Sequence, residues 1–144
     1  MTGMDAAQGG CLCGAVRYRI TRRPSVTVLC HCRSCRLASG GPTLGWLILD
    51  RAAVSFSGEP RVLFASSPGT LRGFCGKCGT ALSYEDEGKP ETIDITTATL
   101  DDPSAFPPSR EIWLEHKIAW QSTNGAIDHY ARSSRGAQPL PKPV

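Results

Sequence analysis

Seven cysteines in three tight clusters constrain this 144-residue chain more than any other feature. Cys11 and Cys13 form C-x-C, Cys30, Cys32 and Cys35 form C-x-C-x-x-C, and Cys75 and Cys78 form C-x-x-C. Closely spaced thiols are the pattern of metal ligation or redox chemistry, and an odd number does not suit a disulfide framework. The opening stretch "MTGMDAAQGG" lacks the basic and apolar regions of a secretory leader, so a reducing cytoplasmic setting is expected. There the thiols are read as metal ligands.

Glycine accompanies two of the clusters, in "CLCGAV" and "FCGKCGTAL". A knuckle around a metal turns backbone N–H groups toward sulfur, and glycine relieves the positive φ that such a turn needs. The flanking segments "AVRYRI" and "TLRGFC" alternate apolar and polar residues as half-buried strands do. Metal held at the ends of β-hairpins is the expected architecture.

The seven thiols divide in two ways. Pairing the two C-x-x-C units, Cys32 and Cys35 with Cys75 and Cys78, gives an ordinary zinc ribbon and strands three cysteines. Joining Cys11, Cys13, Cys75 and Cys78 instead gives a closed four-thiolate site and leaves Cys30, Cys32 and Cys35 as a second site with one coordination position open. Ligand accounting favours the second partition, and spacing alone leaves both open.

Charge bears on partners. Between Asp5 and Asp50 there is no acidic residue but there are six arginines, Arg17, Arg19, Arg22, Arg23, Arg33 and Arg36. The formal net charge of +3 counts every cysteine as neutral; with seven thiolates and two zinc ions it falls to about zero. The basic residues are thus largely countercharge, and no nucleic-acid partner is expected. Hydrophobic content of 40% and charged content of 20% are those of an ordinary globular domain. The longest apolar run, near Leu44 to Leu49, is far too short to span a membrane, so no membrane partner is expected either.

The ordered motifs "GGCLCGAVRY" (9–18), "CHCRSCRLASGG" (30–41), "RGFCGKCGTALSY" (72–84), "TATLDDP" (97–103) and "EIWLEHKIAW" (111–120) resemble the glutathione-dependent formaldehyde-activating enzyme family, which includes centromere protein V. The resemblance runs from about Gly9 to Tyr130. It implies a mainly β protein of twisted antiparallel sheets with zinc knuckles, the Mss-four-like fold. It further implies two zinc ions, a structural one on Cys11, Cys13, Cys75 and Cys78 and a catalytic one on Cys30, Cys32 and Cys35. The family's named activity is carbon–sulfur lyase or synthase chemistry that joins glutathione and formaldehyde as S-hydroxymethylglutathione.

An open three-thiolate zinc suits that chemistry, because a small thiol such as glutathione entering the fourth position loses its proton. His31, between two ligands, is the nearest candidate proton carrier, with Tyr84, Glu85 and His116 as further candidates. Arg33 and Arg36 are candidates for drawing in the carboxylates of a glutathione-like anion, and Trp46, Trp113 and Trp120 for a core or cleft wall. Adjacent side chains in an extended C-x-C point apart, however, which also allows His31 a packing role. Two other classes remain in view: a non-catalytic zinc-binding interaction module, and a thiol redox protein switching through Cys30, Cys32 and Cys35.

Strands are expected near 14–20, 26–30, 43–49, 53–57, 61–65, 70–75, 80–84 and 91–98, each bounded by Gly, Pro or Ser. A short helix is expected after Cys32, ending at Gly40, and "DDPSAFPPS" (101–109) reads as a loop. A single zinc-binding domain over 9–132, a flexible segment 1–8 and a loose tail 133–144 complete the expected organisation.

Overall fold

A computed structural model describes residues 6–142. Eleven strands and one short α-helix account for its regular structure, together with single 3₁₀ turns. The strands are β1 (Ala7–Gly10), β2 (Val16–Ile20), β3 (Val26–Cys30), β4 (Leu44–Asp50), β5 (Val54–Gly58), β6 (Val62–Ser67), β7 (Thr70–Phe74), β8 (Ala81–Asp86), β9 (Thr92–Thr96), β10 (Arg110–Ile112) and β11 (Asp128–His129). Helix α1 spans Arg33–Ser39. All eight expected strands appear, with bounds no more than two residues from expectation.

The strands form a three-stranded sheet, β1-β2-β5, and an eight-stranded sheet, β11-β10-β3-β4-β9-β8-β7-β6. Pairing is antiparallel except at one end of the large sheet, where β10 runs parallel to both β3 and β11. This departs from a purely antiparallel expectation. The chain reaches β10 through the proline-rich segment 101–109 and a 3₁₀ turn at Pro103–Ala105, so it arrives beside β3 by a long connection rather than a hairpin.

Residues 1–5 of the expected flexible N-terminus lie outside the described residues, whereas Ala7 and Gln8 pair with Ile20 and Arg19 of β2. Residues 143–144 of the expected tail also lie outside them; within the rest, Leu140 donates its N–H to the His129 carbonyl at 2.7 Å.

Alternation explains how the sheets pack. In β2, Val16, Tyr18 and Ile20 are buried while Arg17 and Arg19 point outward, Arg17 pairing with Asp101. Across the large sheet, Leu47 and Leu49 of β4, Leu82 of β8, and Ile93 and Ile95 of β9 join them in one core between the sheets. Each such side chain contributes about 2 kcal/mol by leaving water. The period-two pleat therefore turns Trp46 and Ile48 of β4, Tyr84 of β8 and Asp94 of β9 to the other face of the large sheet. Among the described residues no second sheet covers that face, although Val28, Cys30, Cys35 and Trp46 form a smaller buried cluster on it. The face is the floor of a cleft.

Candidate metal centres and the cleft beside the three-thiol group

The turn between β1 and β2 carries Cys11 and Cys13, and the turn between β7 and β8 carries Cys75 and Cys78. Both turns close as knuckles: Gly14 donates to the Cys11 carbonyl and Gly79 to that of Cys75, with φ of +77° and +80°, which a side chain would strain. The two turns belong to different sheets, and they meet where Leu12 N–H donates to Thr80 Oγ1 at 3.1 Å. The four sulfurs converge there, all within 4.8 Å of one another.

Metal fits this set by its spacing. Cys11 Sγ and Cys13 Sγ are 3.6 Å apart, and Cys13 Sγ and Cys75 Sγ 3.8 Å. A tetrahedral ion bound at about 2.3 Å to each sulfur separates its ligands by about 3.8 Å, whereas a disulfide needs about 2.05 Å. Further donors face the sulfurs: Val16 N–H to Cys11 at 3.3 Å, Lys77 N–H to Cys75 at 3.4 Å, and the Thr80 hydroxyl 3.2 Å from Cys78. The Thr80 hydroxyl, followed by backbone donors, holds the Cys78 thiol down at about 5.

The remaining three thiols form a separate group. Cys30 ends β3, Cys32 is the N-cap of α1 with its sulfur accepting from Cys35 N–H at 3.3 Å, and Cys35 lies in the first turn of the helix. Gly40 ends the helix in the left-handed conformation, φ +75°, as its position in the sequence predicts. The three sulfurs also lie within 4.8 Å of one another. As free thiols they share protons unevenly: hydrogen bonding with Cys30 and then Cys35 holds Cys32 down at about 2, while Cys32 and Cys35 push Cys30 far up. Three sulfurs at this spacing fill three corners of a tetrahedron, and no fourth His, Cys, Asp or Glu joins them among the described residues. The described geometry thus follows the second partition of the cysteines, four and three.

The three-thiol group opens into a cleft of about 830 Å³ on the face of the large sheet turned away from the main core. Register places Ile48, Asp94, Tyr84 and Arg72 side by side along its floor, on β4, β9, β8 and β7. Trp46 packs edge-on against Tyr84, their ring centroids 6.1 Å apart. Arg110 and Ile112 of β10, with Trp113 and His116 after it, also line the cleft. Trp113 has φ +60°, the one positive value at a non-glycine residue among those described. Its ring lies 5.2 Å from that of His116, whose Nδ1 accepts from Arg33 N–H at 3.3 Å.

The sequence-predicted residues separate accordingly. Cys30, Cys32, Cys35, Arg33, Trp46, Tyr84 and His116 line the cleft. Arg36, Glu85 and His31 lie outside its lining. Glu85 pairs with Arg51 and Arg61. His31 is fully buried, its Nε2 2.7 Å from Glu111 Oε1 and its Nδ1 without a partner among the described residues. The ring therefore points away from the space a substrate would occupy, as the pleat of Cys30–Cys32 dictates.

Two cleft residues, Arg72 and Asp94, escape a reading of the sequence; Trp113 is found in the wall as expected and departs only in its backbone, while Trp120 is exposed rather than in a core or cleft wall. Arg72 places both terminal guanidinium nitrogens 3.8 Å from Cys35 Sγ and stacks 5.1 Å over the Tyr84 ring. Asp94 is half-buried on the cleft floor without a hydrogen-bond partner among the described residues; burial, then the nearby Asp86 charge, raises its carboxyl to about 7. Trp113 adopts a conformation that no local signal announces.

A family model for glutathione-dependent formaldehyde-activating enzyme matches residues 6–116. A Halomonas elongata protein named "Putative glutathione-dependent formaldehyde-activating enzyme" is 30% identical over 131 residues, 78% of this chain and 78% of its own. An uncharacterised lyase of Schizosaccharomyces pombe is 33% identical over 82 residues, 56% of this chain and 58% of its own. In fold, the chain is similar to the crystal structure of a Rhodobacter sphaeroides protein, a structural-genomics target, with a TM-score of 0.54, 21% identity, and coverage of 65% of this chain and 87% of that one.

Proposed function

The chain belongs to the glutathione-dependent formaldehyde-activating enzyme family, and from that premise we propose that it is a zinc-dependent carbon–sulfur lyase or synthase interconverting glutathione plus formaldehyde with S-hydroxymethylglutathione. The observation that carries the proposal is the pairing of two unlike cysteine groups, a four-thiol set joining two sheets and a three-thiol set facing a cleft. A zinc ion held by Cys30, Cys32 and Cys35 would accept a substrate sulfur in its fourth position and lower that thiol's pKa.

The residues of the chain do the rest. Trp46, Tyr84 and Trp113 present apolar surface beside the three thiols, displacing water from the aldehyde. In the synthetic direction a sulfur lone pair forms the new C–S bond, the carbonyl π pair moves to oxygen, and that oxygen takes up a proton equivalent to the one the thiol released. The lyase direction reverses each step, and nothing is oxidised or reduced. His116 is assigned the proton exchange, because an imidazole can give and accept a proton and this one stands on the cleft wall. Arg33, on the same lip, is assigned to a carboxylate of the tripeptide. His31 is assigned a positioning role, since its ring is enclosed.

Exchange spectroscopy by NMR tests this reading, with glutathione and ¹³C-formaldehyde at equilibrium. Catalysis predicts faster exchange between free aldehyde and adduct in proportion to enzyme, lost in Cys32→Ser. Exchange no faster than in buffer would reject the assigned reaction.

A further inference from the structure

Arginine pairing is uneven across the molecule. Arg17, Arg22, Arg51, Arg61 and Arg132 each face a carboxylate. Arg72 does not. Its two terminal nitrogens have one hydrogen-bond partner between them among the described residues, the sulfur of Cys35, and its buried Nε has none. Arg72 is half-buried in the cleft lining, and the group its terminal nitrogens contact is the Cys35 sulfur, an anion once it ligates a metal.

The two cysteine groups differ in this respect. The four-thiol set meets neutral donors, the backbone N–H groups of Val16 and Lys77 and the hydroxyl of Thr80. Among the described residues no cationic side chain hydrogen-bonds to any of its sulfurs. A dication with four thiolates carries a net charge of −2, and in that group all four come from the chain and assemble once, on folding. In the three-thiol group a fourth thiolate would have to arrive from solution, against a charge already at −1. The fixed cation stands at the group that has to accept one more negative sulfur.

Placement of Arg72 is over-determined. It lies on β7 opposite Tyr84 in register, and the Tyr84 ring holds the guanidinium plane from below. Cys35, on the first turn of α1, is brought against it from another part of the chain. Only a planar fork can direct two nitrogens at one sulfur while stacked on a ring; a lysine ammonium keeps the charge and loses the geometry.

From this arrangement we infer that Arg72 is the positioning residue through which the three-thiol site accepts a small thiolate as its fourth ligand, by neutralising charge on the Cys35 sulfur. The inference rests on the proposed open metal site and adds the residue that tunes it.

The test uses full-length protein reconstituted with Co²⁺ at both sites and titrated with 2-mercaptoethanol, a thiol with no carboxylate or ammonium for other residues to recognise. Thiolate binding is read from the sulfur-to-cobalt charge-transfer band. Wild type is expected to bind two metals and take up the thiol. Arg72→Met is expected to keep two metals while its thiol dissociation constant rises about tenfold or more, with Arg72→Lys between the two. The unchanged spectrum of the four-thiol site reports that the variant is folded; should Arg72→Met lose it, Arg72→Gln and Arg72→Lys carry the comparison. Equal thiol affinity in wild type and a folded, charge-removing variant would overturn the role of Arg72 alone. A wild-type three-thiol site that loads cobalt but takes up no thiol, or loads none, would overturn the open-site reading and this inference with it.

Discussion

His31 Nε2 and Glu111 Oε1 lie 2.7 Å apart in a pair with essentially no exposed surface, 0% and 1%. The other Glu111 oxygen accepts from Asn124 N–H at 2.7 Å and stands 3.1 Å from His129 Nε2. One buried carboxylate thus ties the loop between two candidate metal ligands to the segment after β10. Glu111→Ala leaves His31 Nε2 and the Asn124 N–H without an acceptor, whereas His129 Nε2 keeps the Asn124 carbonyl at 2.8 Å, and is expected to destabilise the protein by about 2 kcal/mol. It should also weaken metal retention at the three-thiol site while sparing the four-thiol site. Urea unfolding together with timed chelator release of each metal checks this; equal loss from both sites would count against the link.

The four-thiol set joins turns from two different sheets, whereas the three-thiol set sits at the end of one internal strand and on one helical turn. Cys78→Ser is therefore expected to cost several kcal/mol of stability, on the order of a structural zinc site. Cys32→Ser is expected to leave a folded protein with one zinc. Thermal unfolding and metal stoichiometry measure both. If Cys32→Ser unfolds the chain as severely as Cys78→Ser, the division into structural and catalytic sites is wrong.

Asp94 ties the cleft to pH. Burial, with the Asp86 charge second, favours its protonated form and places its pKa at about 7, above that of an aspartate in an unfolded chain. Between about pH 4 and pH 7 the folded state binds the proton more tightly, so this group's contribution falls as pH rises and stays unfavourable above the folded pKa. Asp94→Asn is expected to stabilise the protein by a few kcal/mol at pH 8 and hardly at all at pH 4. Paired denaturation curves at the two pH values decide it; no difference between them would contradict the assigned burial cost.

Trp113 holds a left-handed conformation that costs a non-glycine residue about 1–2 kcal/mol. Asparagine tolerates that conformation. Trp113→Asn is accordingly expected to change the melting temperature little while lowering kcat/KM for adduct formation about tenfold, because the cleft loses its wall. Unchanged turnover would remove Trp113 from the site.

How much of this was legible in the sequence depends on how far each signal reaches. The cysteine spacings and the alternation of Val16, Tyr18 and Ile20 with Arg17 and Arg19 are local, and they mark the knuckles and the half-buried strands. β1 was hidden because "AQGG" lacks β-branched residues; its Gly9 packs against Tyr18 of β2, where a side chain would collide. β10, three residues long, draws its place from β3, some eighty residues earlier. Arg72 and Asp94 read as the outward positions of alternating strands, and so they are; what the sequence does not say is that their face of the sheet forms a cleft instead of meeting bulk water. Arg72 acquires its meaning only from Cys35, 37 residues away in sequence.

Of the two proposed metal sites, one is closed and the other open to a thiol. Zinc K-edge absorption on protein purified without chelator, with and without glutathione, tests this division most directly. Two zinc ions per chain are expected, with the average rising from about 3.5 to about 4 sulfurs per zinc when glutathione is added. A single zinc with four sulfurs, or two whose sulfur count is unmoved by glutathione, would contradict the division.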